Sequence, residues 1–307
     1  MFVHFEPVTI DMPLSARRLL PLLLLVPIAL VSGCSTAQSE WRTLLTEDLA
    51  GWYTYLGYKL PADYDGDVPT DENGDPLVPV GYDRNVNDVF TMIQEDGEPV
   101  LRISGEYYGS ISTDEDFENY HLTLQVRWGD IKWDPRTNLM LDSGVLYHAV
   151  GESGIDYWRA WPLSQEFQVM EGHMGDYWSI GSAAIDIRAL PEEGAMSAMA
   201  SHDRPFRSFS DGTDQGGFCL RTADYESPMG DWTTLELITF EDKALHLVNG
   251  EVVMVLRNSR FIEDGVAQPL TSGKIQLQSE AAEVFFKDIR IRNVDAIPAE
   301  YAHFFDA

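Results

Sequence analysis

The residues whose types and spacing could do chemistry fall in Gln165–Glu171, which reads Gln-Glu-Phe-Gln-Val-Met-Glu. Two carboxylates, Glu166 and Glu171, bracket the amide of Gln168 within an apolar run of strand-forming character. Side chains alternate along a regular strand, so Glu166, Gln168 and Met170 share one face, and Phe167, Val169 and Glu171 the other. That parity would set Glu171 in the core, where an unpaired carboxylate is costly. One extra residue, a β-bulge near Val169–Met170, restores it and brings Glu166, Gln168 and Glu171 to one side. Two carboxyl groups flanking an amide supply an acid, a base and an orienting hydrogen bond. The neighbours suit a sugar: Trp158 and Trp161 lie just upstream, and His173, Asp176, Tyr177 and Trp178 follow. Their rings offer apolar faces with polar edges.

The elements that must position this stretch are strands. Tyr120–Trp128 alternates cleanly, with Leu122, Leu124, Val126 and Trp128 on one face and His121, Thr123, Gln125 and Arg127 on the other. Val100–Ser104 and Tyr107–Ser112 read as a hairpin, and Ser143–Val150 precedes the candidate strand. Met196–Asp211 reads as an exposed loop. Asn249-Gly250 between two apolar runs is a strong hairpin signal. Trp52, Trp128 and Trp232 read as core. Pro61–Pro79 is a long acidic loop whose Asp-x-Asp repeats lack the Gly and the later Glu of a calcium loop, so solvated loop is the expectation. No stretch has sustained helical periodicity. A dozen or more short strands without helices imply an all-β sandwich or jelly roll.

The chain has 307 residues and 50 acidic against 21 basic side chains, a formal charge of −29. Nucleic acid is excluded as a partner by that surface, and a polyanionic substrate is disfavoured; a neutral oligosaccharide or glycoside is compatible. Arg17 and Arg18, an apolar run from Leu19 to Val31, and Leu30-Val31-Ser32-Gly33-Cys34 resemble a bacterial lipoprotein signal. The expected organisation is a signal peptide at 1–33, a tether at 34–40, one domain at 41–294 and a tail at 295–307. Cys34 would carry the lipid, anchoring an exported protein to a membrane of the cell envelope (periplasm or outer membrane). Only Cys219 remains, so no intrachain disulfide forms in the mature chain.

Several segments together resemble the 3-keto-disaccharide hydrolase family. They are Leu49-Ala50-Gly51-Trp52, Asn119–Leu122 leading to Arg127, Asp142–Tyr147, Glu166–Glu171, Gly230-Asp231-Trp232, Val248-Asn249-Gly250, Gly273–Gln278 and Val284–Ile291. The resemblance implies a concanavalin A-like jelly roll of two antiparallel sheets and cleavage of 3-keto-glycosides. Glu166 would then be the base, Glu171 the acid and Gln168 the group orienting the sugar. Arg127 and His148 are candidates for stabilising the enolate, alone or through a cation. Trp158, Trp161, His173 and Trp178 would contact substrate. No cofactor is required by these residues, and a divalent cation is compatible with them. The run also looks like the Glu-x-Asp-x-x-Glu signature of laminarinase-type β-glucanases, but Gln168 stands where those enzymes have Asp. A lectin-like module, binding sugar on its aromatic rings without chemistry, is the other reading.

Overall fold

The computed structural model describes residues 39–154, 160–190 and 197–306. Its strands, in chain order, begin with β1 (Arg42–Thr43), β2 (Trp52–Leu56), β3 (Gly81–Tyr82), β4 (Phe90–Glu95), β5 (Glu98–Ile103), β6 (Gly109–Thr113) and β7 (Tyr120–Lys132). The middle of the chain gives β8 (Asp142–Val150), β9 (Leu163–Met170), β10 (Tyr177–Ile180), β11 (Ala183–Leu190), β12 (Ala198–Ala200), β13 (Phe206–Phe209) and β14 (Phe218–Leu220). The last are β15 (Thr233–Phe240), β16 (Lys243–Val248), β17 (Glu251–Glu263), β18 (Val266–Pro269), β19 (Lys274–Ser279) and β20 (Ala282–Asn293), followed by one short helix, α1 (Ala299–Ala302).

These strands make the jelly-roll sandwich. The front sheet runs β3–β2–β6–β19–β8–β9–β10–β14–β12. The back sheet runs β4–β5–β20–β7–β15–β16–β17–β11–β13, with β1 beside β20 and β18 beside β17. Every pairing is antiparallel except β12 with β14, and β12 also pairs with β11, joining the two layers at one corner. Between the sheets lies one apolar core. Val145, Phe167, Val169 and Leu277 enter it from the front; Leu122, Leu124, Val126, Leu237 and Phe286 enter from the back. Fully burying each such side chain stabilises the fold by about 1.5–3 kcal/mol.

The alternation of β7 is as the sequence predicts, and Asn249-Gly250 turns β16 into β17, with φ of 49° and 84°. Three expectations are corrected. Val100–Ser104 and Tyr107–Ser112 do not form a hairpin, because β5 pairs within the back sheet and β6 within the front. The chain crosses layers at Gly105 (φ 79°), which lies against the Ala282 backbone so closely that no Cβ would fit. Met196–Asp211 is not simply an exposed loop: β12 and β13 within it pair with β11 and bury Ala198, Ala200 and Phe209. Trp232 is half-buried on the outer face of the back sheet, between the cations of Arg127 and Lys287 at 4.4 and 4.7 Å.

Candidate active site

Strand β9 sends Gln165, Phe167 and Val169 into the sandwich and Ser164, Glu166 and Gln168 to the outer face of the front sheet. Its register with β8 sets Gly144 opposite Gln168 and Leu146 opposite Glu166. On the far side of β8, β19 sets Gln276 against Leu146, so Gln278 lies level with Gly144. A Cβ on Gly144 would collide with both the Glu166 Oε1 and the Gln278 Oε1 atoms. Glycine is needed there for space, since it is the gap into which an acid and an amide lean from both sides.

A cavity of about 260 Å³ opens on this face. That lies just under the usual range of small-molecule sites, about 300–1,000 Å³, and matches one sugar ring better than an extended chain. Glu166, Gln168 and Gln278 form part of its wall, with Asp142 from the start of β8 and Glu280 from the turn after β19. Trp161 and Trp178 add aromatic surface, and Ser179 and Asp211 complete one side. Arg136 reaches in from the loop between β7 and β8. That loop is fixed by the Trp133 N–H donating to the Ala281 carbonyl at 2.8 Å and by the Trp133 indole N–H donating to the Ser104 carbonyl at 2.9 Å.

Four acids, Asp142, Glu166, Asp211 and Glu280, share this space with one cation. Arg136 forms an ion pair with Asp142 and sits 3.6 Å from Glu280. Burial pushes the Glu166 carboxyl well above the usual carboxylate range; the Asp142 charge adds to this and a hydrogen bond from Gln278 opposes it. Burial likewise drives Glu280 well above its ordinary range, reinforced by Asp142 and held back by Arg136. Asp142 is raised by burial to about 7, against the pull of Arg136. The cavity therefore holds proton-bearing acids beside a carboxyl that ionises near neutrality.

The sequence-predicted residues divide. Glu166, Gln168, Trp161 and Trp178 come together at the cavity. Glu171 does not. The bulge expected near Val169–Met170 is absent, because β9 stays regular to Met170 and the chain turns away through Gly172 and Gly175. Glu171 instead caps the strand end, its carboxylate accepting the Leu141 N–H at 3.2 Å with Lys132 3.7 Å away. The irregularity in this strand pair falls on β8 between Tyr147 and Val150, where His148 has φ 52°. That kink leaves His148 fully buried against Tyr147 and Tyr120, with burial lowering its pKa to about 4. Arg127 lies on the opposite side of the molecule, on the back sheet, paired with Glu95 at 2.7 Å. His173 is outside the cavity wall, bonded at 2.8 Å to the buried Asp176, which also takes an ion pair from Arg221 at 3.1 Å. Trp158 and Cys34 lie outside the described residues. Among the described residues no three His, Cys, Asp or Glu side chains are grouped to hold a metal ion.

Comparison with known proteins gives the family. Residues 40–292 match the model of the 3-keto-alpha-glucoside-1,2-lyase-like domain. The chain belongs to that family. Some solved structures are similar to the chain at low identity. Two are proteins of Parabacteroides distasonis ATCC 8503 provisionally assigned as glycosyl hydrolases. One is 18% identical, covering 83% of this chain and 94% of its own with a TM-score of 0.45. The other is 17% identical, covering 83% and 100% with a TM-score of 0.44. A carbohydrate binding module from Bacillus subtilis is 12% identical over 66% of this chain and 92% of its own, TM-score 0.36. The curated proteins offer no match. A carbohydrate-related, glycosidase-like role follows from the family.

Within this 3-keto-α-glucoside-1,2-lyase-like domain, sequence reasoning missed Asp142, Arg136, Gln278 and Glu280 as site residues. One signal was there to find. Gln276 and Gln278 alternate along β19 with the core residues Ile275 and Leu277, and Glu280 follows two residues on, in the turn. A polar face of period two on a buried strand marks a site as clearly as the two glutamates of β9.

Proposed function

We propose that this cavity cleaves 3-keto-glycosides by elimination. The observation that carries the reading is a ring-sized cavity walled by tryptophan in which buried carboxyls differ in proton affinity. Such a difference separates the acid role from the base role. Asp142 serves as the base: ionised from near pH 7, it removes the proton on C2, which the C3 ketone acidifies. The C2–H electrons form the enolate, the C3 carbonyl re-forms, C1=C2 is made and the C1–O bond breaks. Glu166, still protonated, gives its proton to the departing oxygen. Water then adds across the new double bond to complete a net hydrolysis. Glu171, read from sequence as the acid, has no access to this cavity, so the acid role moves to Glu166 and the base role to Asp142.

Unused hydrogen-bonding capacity around the cavity supports a polyhydroxylated ligand. The Gln278 Oε1 acceptor, the Ser179 hydroxyl and the Arg136 Nε–H donor are buried and have no hydrogen-bond partner. Buried polar groups of this kind are costly until a partner arrives, and sugar hydroxyls both donate and accept. Trp178, 40% exposed, supplies an apolar face at the rim.

The test is product release from 3-keto-glucosides and their unoxidised parents side by side, with and without chelator. Cleavage of the keto set alone is expected. Cleavage of the parents would replace this reading with direct glycoside hydrolysis, and binding without turnover would make the domain a lectin-like module.

A further inference from the structure

Resting on that reading, we infer that Arg136 is a catalytic residue, whose guanidinium receives the C3 oxygen as negative charge collects on it. The elimination needs a donor for the enolate oxygen. Arg127 lies part-buried on the outer face of the back sheet with its guanidinium committed to both oxygens of Glu95, and His148 is enclosed in the core. Arg136 is the one cation among the described residues that line the cavity. Its terminal nitrogens engage Asp142 and Glu280, while its Nε–H has no acceptor in the protein. A guanidinium has five N–H donors in a planar fork, so two carboxyl groups do not exhaust it. Its placement is firm, since the loop that carries it is tied through Trp133 to Ala281, the residue after Glu280.

The chemistry is balanced without any further reactant. When the base takes the C2 proton, the electron pair moves into C2=C3 and the charge onto O3, where the guanidinium N–H stabilises it. When the carbonyl re-forms, that pair moves on to expel the C1 oxygen, which takes the proton of Glu166. Arg136 loses no proton at any stage.

Enolate formation can be isolated from bond cleavage with 3-keto-1,5-anhydroglucitol, which has no leaving group at C1. In D2O the wild-type protein is expected to exchange its C2 hydrogen, followed by NMR. Arg136→Gln should lower that exchange by about 100-fold, the usual effect of losing one oxyanion donor, with apparent affinity for the probe changed far less. Removing the arginine also raises the proton affinity of Asp142, so the rate is read across pH. A defect that disappears at alkaline pH means Arg136 only tunes the base, and overturns the proposal; a defect that persists on the plateau supports it. If Arg136→Gln does not fold, Arg136→Lys decides in the same way: a plateau loss of about 10-fold supports the role, and a wild-type plateau overturns it. Failure of the wild-type protein to exchange or cleave any keto-sugar would overturn the elimination reading itself, and Arg136's role with it.

Discussion

Trp178 on β10 stands in register with Glu166 on β9, so an exposed indole and a buried acid are neighbours across one strand pair. Side chains directly opposite in an antiparallel pair share a face, and the indole packs on Phe218 at 4.4 Å between ring centres. Trp178→Ala should therefore raise KM for a cleaved glycoside by about 10-fold, the equivalent of one lost aromatic contact, while kcat falls less. Steady-state kinetics check this; an unchanged KM would remove Trp178 from the binding surface.

Glu166 and Glu171 should separate sharply. Glu166→Gln is expected to lower kcat by about 10²–10⁴-fold, the range for removing a positioned acid. Glu171→Gln should leave kcat within a few-fold and alter stability by less than about 1 kcal/mol, since its half-exposed ion pair is of the weak surface kind. Equal losses in the two variants would restore the pairing suggested by the sequence alone.

Gly144→Ala probes placement. The added methyl meets the tips of Glu166 and Gln278 rather than backbone, so the fold should yield by about 1 kcal/mol while the acid is displaced. Misplacing a reacting group by about 1 Å can cost 100-fold in rate. Activity and thermal stability measured on the same preparation should show the first falling far more than the second.

The rate should rise with pH through about 7 as Asp142, raised to that value by burial, gives up its proton. It should fall again at higher pH as Glu166 ionises. Asp142→Asn should abolish turnover. A pH–rate profile already flat from pH 5 to 8 would exclude Asp142 as the base.

Stability has its own pH dependence, and the sign follows from the direction of the shift. Glu166 holds its proton more tightly folded than unfolded. Its contribution is full below the unfolded pKa and is lost as pH rises towards the folded one. Glu166→Gln should then match wild type near pH 4 and exceed it increasingly above, by up to about 1.4 kcal/mol per pH unit across that window. The buried His148 and His246, lowered by burial to about 4 and about 3, act in the other direction. They cost stability as pH falls below the ordinary histidine range. Thermal melts across pH 4–9 separate the two.

Much of the sandwich was legible because its strands obey period two: β7 and the β16–β17 turn read directly from the chain. Short strands such as β12 and β13 were not legible, since three or four residues hold too little pattern and their pairing with β11 is long-range. In the site, Glu166, Gln168, Trp161 and Trp178 were visible as a local cluster. Asp142, Arg136 and Glu280 come from three separate segments, and only the β8–β9–β19 register brings them together. Glu171 misled because adjacency in sequence resembled adjacency in space, whereas the strand ended one residue before it.

Strand β20 has a consequence for how the molecule is made. Strands β1, β4 and β5, the first of the back sheet to be synthesised, reach the rest of that sheet only through β20, whose last residue is Asn293. Until that keystone arrives, the opening quarter of the back sheet has no partner on its inner edge. Such sequence-distant closure is slow, and the back sheet must remain incomplete until β20 has emerged. A ribosome stalled before residue 282 would hold a half-built sandwich with an open, aggregation-prone edge.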